Sequence, residues 1–346
     1  MAPSLKNIPG IGSIIGLVRP LALRVIIASA VLPACSPGSA SVDGDAADSA
    51  VDGLIVDTGD GGAIEAVPGI GEWASEGEDG VRKGDSSVLK EASGIAFHQA
   101  EGKYYVASDK GYIHRTDSEG NDEVKWTIGG DPEGVTIDEV TDDAIATIFV
   151  ADEAINGVRI FVIEGDELIE IGSCVLDLDV DEEEGDGFEG IAFVSFEEAP
   201  DNWGDYPRGF IVAGSQATAK LSVYSVADCM GGGNITALDI EGVDNEGALV
   251  TSKDDVSGLT YNAEIGKILA VHDKGNLLDV MRLDGVLEHT FELPGGHHEG
   301  VVLRGIDCAG GVGILAIPDD EKGGYVEYPD FPAYCVDGVQ GRANAR

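Results

Sequence analysis

One five-residue motif recurs along this chain and constrains its fold more than any other feature. The copies read SGIAF from Ser93, EGVTI from Glu133, EGIAF from Glu189, SGLTY from Ser257 and EGVVL from Glu299. They return roughly every 40 to 60 residues, a spacing typical of β-propellers, in which each repeat forms one blade. A β-sandwich, the competing all-β fold, does not predict five copies of one motif. We therefore predict an all-β chain that folds as a β-propeller.

The segments that follow the motif predict the other strands of each blade. After most copies a turn leads into a second strand with a polar, usually acidic end, at residues 104–109, 148–153, 210–216, 268–273 and 314–320. Five copies predict five blades, but residues 246–250 resemble a weaker sixth copy, so six blades stay open. Residues 54–91 are expected to add a strand that closes the ring against the last blade and removes an exposed sheet edge.

The N-terminal region has the pattern of an export signal. No acidic residue precedes Asp43, Lys6 and Arg24 are among the basic residues, and residues 25–32 are mostly apolar. The run ends in LPAC, which resembles the lipobox of bacterial lipoproteins and would make Cys35 the lipid-bearing residue. An ordinary secretory signal and a misplaced start codon are the alternatives. We predict a signal peptide over residues 1–34, a flexible acidic tether over 35–62 and the propeller domain over 63–346.

Export has consequences for location and for the remaining cysteines. We expect a monomer in the cell envelope, on the outer membrane or surface of a Gram-negative-type bacterium, touching the membrane through its lipid alone. Exported proteins can keep disulfides. Cys308 and Cys335 both lie in the last repeat and are expected to pair, which leaves Cys174 and Cys229 as the second pair. Free buried thiols are the alternative.

The charge of the chain excludes several function classes. The formal net charge is −43, with 64 acidic against 21 basic residues, so the field of the protein repels nucleic-acid phosphates. The sequence also lacks the Gly-x-Ser-x-Gly, His-Glu-x-x-His and phosphate-loop motifs. We therefore expect no nucleic-acid partner, and the absent motifs argue weakly against serine and zinc hydrolases.

The repeat predicts that carboxylates gather at one end of the central channel. The motif begins the innermost strand and the acidic group ends its antiparallel neighbour, so both lie on the same face. Glu133, Glu189 and Glu299, with Ser93 and Ser257, are expected to ring the channel mouth. A second set lies at the strand ends and two residues before the motif: Asp109, Asp131, Asp152, Glu153, Asp255, Asp273, Asp319 and Asp320.

So many carboxylates on one face require a counter-charge. At an effective dielectric constant near 20, two like charges about 4 Å apart cost about 4 kcal/mol, so protonation or a bound cation must relieve them. An all-oxygen ligand set and export favour Ca²⁺, which takes about 6–8 oxygens, whereas Zn²⁺ would want His or Cys. The alternative is that these acids decorate solvated loops. We predict calcium as the cofactor.

Two segments resemble a known family. EASGIAF, YYVASDKG and DPEGVTI in residues 91–137, and DVSGLTY, ILAVHDKG and HHEGVVL in residues 255–303, are similar to the SdiA-regulated family of bacterial envelope β-propellers. The resemblance implies five blades, a calcium site and no established activity.

The middle of the chain resembles a second family. DGFEGIAF and the strands of residues 209–226 are similar to the calcium-dependent β-propeller phytases. The resemblance implies metal ligation by Glu133, Glu153 and Glu189, with Gln216 lining the site and Lys110 contacting phosphate. Lys274 is a further candidate for a phosphate contact.

Two functions therefore stay open. In the first, a lipid-anchored calcium-binding propeller binds a small molecule or a protein partner at the carboxylate-lined mouth. In the second, the same carboxylates hold calcium for phytase-like hydrolysis of phosphoric esters.

Overall fold

A computed structural model describes residues 80–84, 88–139, 146–178, 187–240, 249–319, 322–333 and 335 of the chain. The predicted signal peptide, the lipid-bearing Cys35, the tether and Asp320 lie outside the described residues.

The described strands form five sheets arranged in a ring, one for each copy of the motif. Strand β1 (Val81–Lys83) precedes the first complete blade. Blade 1 contains β2 (Ala92–His98), β3 (Lys103–Ser108), β4 (Tyr112–Thr116) and β5 (Asp122–Thr127). Blade 2 contains β6 (Pro132–Asp138), β7 (Thr147–Asp152), β8 (Gly157–Glu164) and β9 (Glu167–Leu176).

The remaining blades follow in chain order. Blade 3 contains β10 (Phe188–Val194), β11 (Phe210–Ser215), β12 (Lys220–Ser225) and the short outer strand β14 (Leu249–Val250). Between β12 and β14 the chain forms helix α1 (Val226–Gly231) and the short strand β13 (Asn234–Ile235), which pairs parallel with β9 and so belongs to the sheet of blade 2. Blade 4 contains β15 (Val256–Asn262), β16 (Lys267–His272), β17 (Leu277–Arg282) and β18 (Leu287–Glu292). Blade 5 contains β19 (Val302–Asp307), β20 (Val312–Pro318) and β21 (Tyr325–Pro332). The predicted five-bladed propeller is confirmed.

The glycine of the motif lets the innermost strands approach one another around the axis. A Cβ atom added to Gly94 would lie 2.7 Å from the carbonyl oxygen of Glu133, and one added to Gly134 would lie 2.5 Å from that of Glu189. At Gly300 the nearest atom would be the carbonyl oxygen of Ser93, which returns to the first blade. Any larger residue would force neighbouring blades apart, so the motif needs glycine at this position.

The ring closes through the N-terminal strand, as expected. Strand β1 pairs antiparallel with β21, with Arg82 opposite Val326, and becomes the outer strand of blade 5. Across the same junction the Tyr104 hydroxyl donates to Glu327 over 2.5 Å, and Arg304 donates to the same carboxylate over 2.6 Å. These contacts join the first blade to the last.

The six-blade alternative is wrong. The two described residues of its candidate segment, Leu249 and Val250, form β14 and pair with Leu221 and Lys220 of β12 as the fourth strand of blade 3. The segment therefore builds the outside of a blade and contributes no innermost strand.

Both predicted disulfides are present. Cys174 of β9 is bonded to Cys229 of α1, so the bond links blade 2 to the end of blade 3. Cys308 and Cys335 are bonded within blade 5. The alternative of free thiols is wrong for all four residues.

The hydrophobic core lies between adjacent blades. One cluster packs Phe149 of blade 2 against Phe193 of blade 3, with the two rings stacked 5.3 Å apart. A second joins blades 3 and 4, and a third joins blades 4 and 5. Within the part of the chain that the structure describes, no helix has the length and apolar character needed to cross a bilayer.

Candidate metal centre

The first residue of the motif is an extra residue in its strand. Pro132 pairs with Asp152 and Gly134 pairs with Ala151, so Glu133 has no partner of its own and forms a β-bulge. The same shift occurs at Ser93, Glu189 and Ser257. A bulge redirects a side chain out of the regular alternation. In four blades it therefore marks the start of the innermost strand. We call this end of the channel, with Glu299 from blade 5, the acidic mouth.

Three of the predicted carboxylates come together at the acidic mouth. One carboxylate oxygen each of Asp131, Glu133 and Glu153 lies within 4.8 Å of the other two. Asp131 and Glu133 flank the first residue of β6, and Glu153 follows the end of β7. The backbone N–H of Glu153 donates to the carbonyl oxygen of Asp131 over 2.9 Å, which holds the two segments in register. The group therefore belongs to blade 2.

Burial and like charge raise the pKa values of these carboxyls. Burial raises the pKa of Glu133 to about 8; a hydrogen bond with the Ser93 side chain opposes the rise, and the Asp131 and Glu153 carboxylates add to it. Desolvation followed by the charge of a neighbouring acid also raises the pKa values of Asp131 and Glu153. The site thus holds more negative charge than its protein surroundings stabilise.

Glu189 connects this group with the rest of the mouth. It is only 6% exposed, and burial raises its pKa well above the usual range. The carboxylates of Glu133, Glu299 and Glu153 raise it further, in that order. The first residues of two other motif copies, Glu133 and Glu299, therefore act electrostatically on Glu189.

Asp152, another predicted ligand, is held by hydrogen bonds and an ion pair within the protein. The Asp152 side chain is 2% exposed and accepts from the backbone N–H groups of Asp131 and Ala154 over 3.0 and 3.1 Å. Its second oxygen lies 3.4 Å from the Arg159 guanidinium. Asp152 therefore caps the turn after β7, and the next residue along the chain, Glu153, faces the group.

The acids of blade 4 are also engaged by the protein. Asp255 lies 3.3 Å from the Lys274 ammonium, and its other oxygen accepts from the Lys274 backbone N–H. Asp273 accepts from the backbone N–H of His298 over 3.1 Å and so ties blade 4 to the start of blade 5. Neither residue belongs to the compact group of blade 2.

The predicted phosphate contacts lie around the mouth. Lys110 forms ion pairs with Glu91 and, over 3.3 Å, with Asp109, and its charge opposes the rise in the pKa of Asp131. Asp109 in turn raises the pKa of Glu133. The backbone N–H of Gln216 donates to the carbonyl oxygen of Gly187 over 3.3 Å, at the entrance of blade 3.

Sequence reasoning missed two residues of this mouth. Glu91 precedes Ser93 by two positions, as Asp131 precedes Glu133, and it holds Lys110. Gly187 has the same place before Glu189, and a side chain there would collide with the Glu153 carboxylate. The position two before the motif, which also holds Asp131 and Asp255, is therefore the signal in the sequence for both residues.

The carboxylates of the blade 2 group suit calcium. Ligand oxygens about 2.3–2.6 Å from one ion can lie up to about 5 Å apart, which the 4.8 Å limit of this group satisfies. The group contains no His or Cys, so its donor set is not that of zinc. Calcium would supply positive charge and a polarising centre, with Asp131, Glu133 and Glu153 as its protein ligands.

Comparison with models of known protein families and with curated proteins finds no match to this chain.

The raised pKa values predict how stability changes with pH when calcium is removed. Between about pH 4.5 and 8 the folded protein keeps a proton on Glu133 that the unfolded chain releases, so stability falls as pH rises through this window. The raised pKa of Glu189 acts in the same direction. We expect the melting temperature in chelator to fall across it and excess calcium to reduce the fall. The Glu133→Gln variant should show a shallower fall in chelator; an unchanged slope would contradict the assignment.

Proposed function

We propose that this protein is an exported, lipid-anchored, calcium-binding β-propeller that binds a ligand or protein partner at its acidic mouth. The observation that carries the proposal is the convergence of Asp131, Glu133 and Glu153 within 4.8 Å, with all three pKa values raised. A divalent cation relieves this repulsion at neutral pH, where protonation alone would leave part of the charge. The two disulfides support an oxidising compartment.

Binding, without catalysis, accounts best for the surroundings of the group. A phosphatase needs cations that are available to the substrate, yet Lys274 pairs with Asp255 and Arg159 pairs with Asp152 and Glu170. The mouth thus combines concentrated carboxylates with basic residues that are already paired. A calcium ion held there can complete its coordination with oxygens from a ligand or partner.

The second candidate function is calcium-dependent hydrolysis of phosphoric esters. One observation favours it: the side chains of Lys110 and Lys274 are 55% and 61% exposed although both are paired, and the charge of Lys110 acts on Asp131 of the group. In that case calcium would polarise the phosphate and activate water, and Lys110 would contact the phosphate oxygens.

Phosphate release separates the two functions. The purified protein is incubated with phytate and with 4-nitrophenyl phosphate, in excess calcium and in chelator, and inorganic phosphate is measured. We expect no calcium-dependent release, because the available positive charge is small. Turnover that needs calcium and is lost in the Lys110→Ala variant would favour the phytase-like function instead.

The lipid anchor has its own test. The Cys35→Ser variant cannot carry a thioether-linked lipid, so we expect it to move from the membrane fraction to the soluble fraction of an expressing bacterium. Metabolic labelling with a fatty acid should mark the wild-type protein and not the variant. Equal fractionation and labelling of both proteins would overturn the anchor.

A further inference from the structure

The opposite end of the channel contains a cavity that the acidic mouth does not explain. Its volume is about 260 Å³. The last residue of every motif copy lines it: Phe97, Ile137, Phe193, Tyr261 and Leu303. The first and last motif positions are four residues apart along the strand, a distance of about 13 Å. Each copy of the repeat therefore contributes one residue to each end of the channel. We call this end the aromatic mouth.

The walls of the cavity combine polar residues with apolar and partly aromatic ones. Phe97, Ile137 and Tyr261 are partly exposed, whereas Phe193 and Leu303 are buried to 8% and 2% exposure. A small molecule at this position would touch strands from all five blades. Small-ligand sites in proteins are concave and combine apolar and aromatic side chains with polar groups that fix the orientation of the ligand.

The charged groups at the cavity rim are all carboxylates. Glu139, Glu198 and Glu264 line it, and they follow the innermost strands of blades 2, 3 and 4. No described residue that lines the cavity is a Lys, Arg or His. Glu139 accepts from the backbone N–H of Gln99 over 2.6 Å, and Glu198 accepts from the Ser195 hydroxyl over 3.0 Å. The rim therefore presents negative charge held on ordered side chains.

These three carboxylates do not have the spacing of a metal site. Among the described residues, the one group of three potential ligands within 4.8 Å of one another lies at the acidic mouth. Yet the rim acids do affect one another: partial desolvation raises the pKa of Glu264, and the charge of Glu139 raises it further. A cation wider than a metal ion fits carboxylates that are spread around a cavity.

We propose that the aromatic mouth binds a small alkylammonium ion. The alkyl groups lie against Phe97, Tyr261 and the aliphatic walls, and the positive charge faces the carboxylates of Glu139 and Glu264. An aromatic ring attracts such a cation through its quadrupole, and the acids add Coulomb attraction. The Arg304 guanidinium, 5.2 Å from the centre of the Phe97 ring, is paired with Glu327. This site is separate from the proposed calcium site and does not depend on it.

The test compares choline with its uncharged analogue 3,3-dimethyl-1-butanol, which has nearly the same shape. Binding of each to the wild-type protein is measured by isothermal titration calorimetry in chelator, so that calcium plays no part. We expect choline to bind saturably and about tenfold or more tightly than the alcohol. Equal affinities, or no choline binding up to about 10 mM, would overturn the proposal.

Variants then locate the site. The Glu139→Gln, Glu264→Gln double variant should bind choline about tenfold more weakly, because two charges near the cation are lost. The Glu167→Gln, Glu292→Gln double variant removes the same charge from exposed positions on outer strands and should keep wild-type affinity. Melting curves check that both variants fold. If both variants lost the same choline affinity, the loss would come from the change in net charge, and the proposed site would be refuted. A loss confined to Glu133→Gln, Glu153→Gln would assign choline to the acidic mouth and refute it equally.

Discussion

Replacing Glu133 and Glu153 together by Gln is expected to lower the calcium affinity of the protein by about two to three orders of magnitude. Both side chains belong to the compact group of blade 2, and both amides keep the shape of the acid while removing its charge. Calcium affinity depends strongly on the number of charged oxygen ligands. Isothermal titration calorimetry at neutral pH measures the change.

Two further variants calibrate this result. Glu189→Gln should cost less, about tenfold, because Glu189 lies outside the compact group and acts on it through its charge. The Glu167→Gln, Glu292→Gln control should leave calcium affinity within about twofold of wild type, since distant exposed charges are screened by salt. If all three proteins lost affinity equally, the ion would be held by the general negative field and not by these ligands.

The Asp279→Ala variant is expected to unfold more easily by about 3–5 kcal/mol. Asp279 lies on β17 with no exposed surface and accepts four hydrogen bonds. The donors are the Ser252 backbone N–H over 2.6 Å, the Ser252 and Thr290 hydroxyls over 2.8 and 2.7 Å, and the fully buried His272 ring over 3.1 Å. Alanine leaves these donors unpaired in the interior of blade 4, and such groups are costly. Urea unfolding followed by circular dichroism measures the loss.

The matched control lies in the same blade. Asp284 is 44% exposed at its side chain and pairs with Arg282 at the surface, so Asp284→Ala should change stability by about 1 kcal/mol or less. If both variants lost the same free energy of unfolding, the buried hydrogen bonds of Asp279 would contribute no more to stability than a surface ion pair.

The fold was predictable because each of the five blades repeats the same sequence motif. A five-residue motif, read five times, predicted the blades, and glycine at its second position reflects backbone contact at the axis, as at Gly94 and Gly134. The disulfides followed from the positions of four cysteines. The sixth-blade alternative failed because a short resemblance at residues 246–250 does not distinguish an innermost strand from the outer strand β14.

The site was predictable only in outline. Adjacent acids such as Asp152 and Glu153 look equivalent in the sequence, but one caps a turn and the other faces the blade 2 group. Side-chain direction depends on the bulge at Glu133, and the motif does not encode the register shift itself. Contacts between distant residues, such as Tyr104 with Glu327, leave no trace in local spacing. These parts required the three-dimensional structure.

A crystal structure of the protein grown with calcium would show directly whether the acidic mouth binds an ion. We expect a cation at the acidic mouth, about 2.3–2.6 Å from oxygens of Asp131, Glu133 and Glu153, with anomalous scattering appropriate to calcium. Those three side chains turned towards bulk water, with no ion among them at saturating calcium, would contradict this expectation.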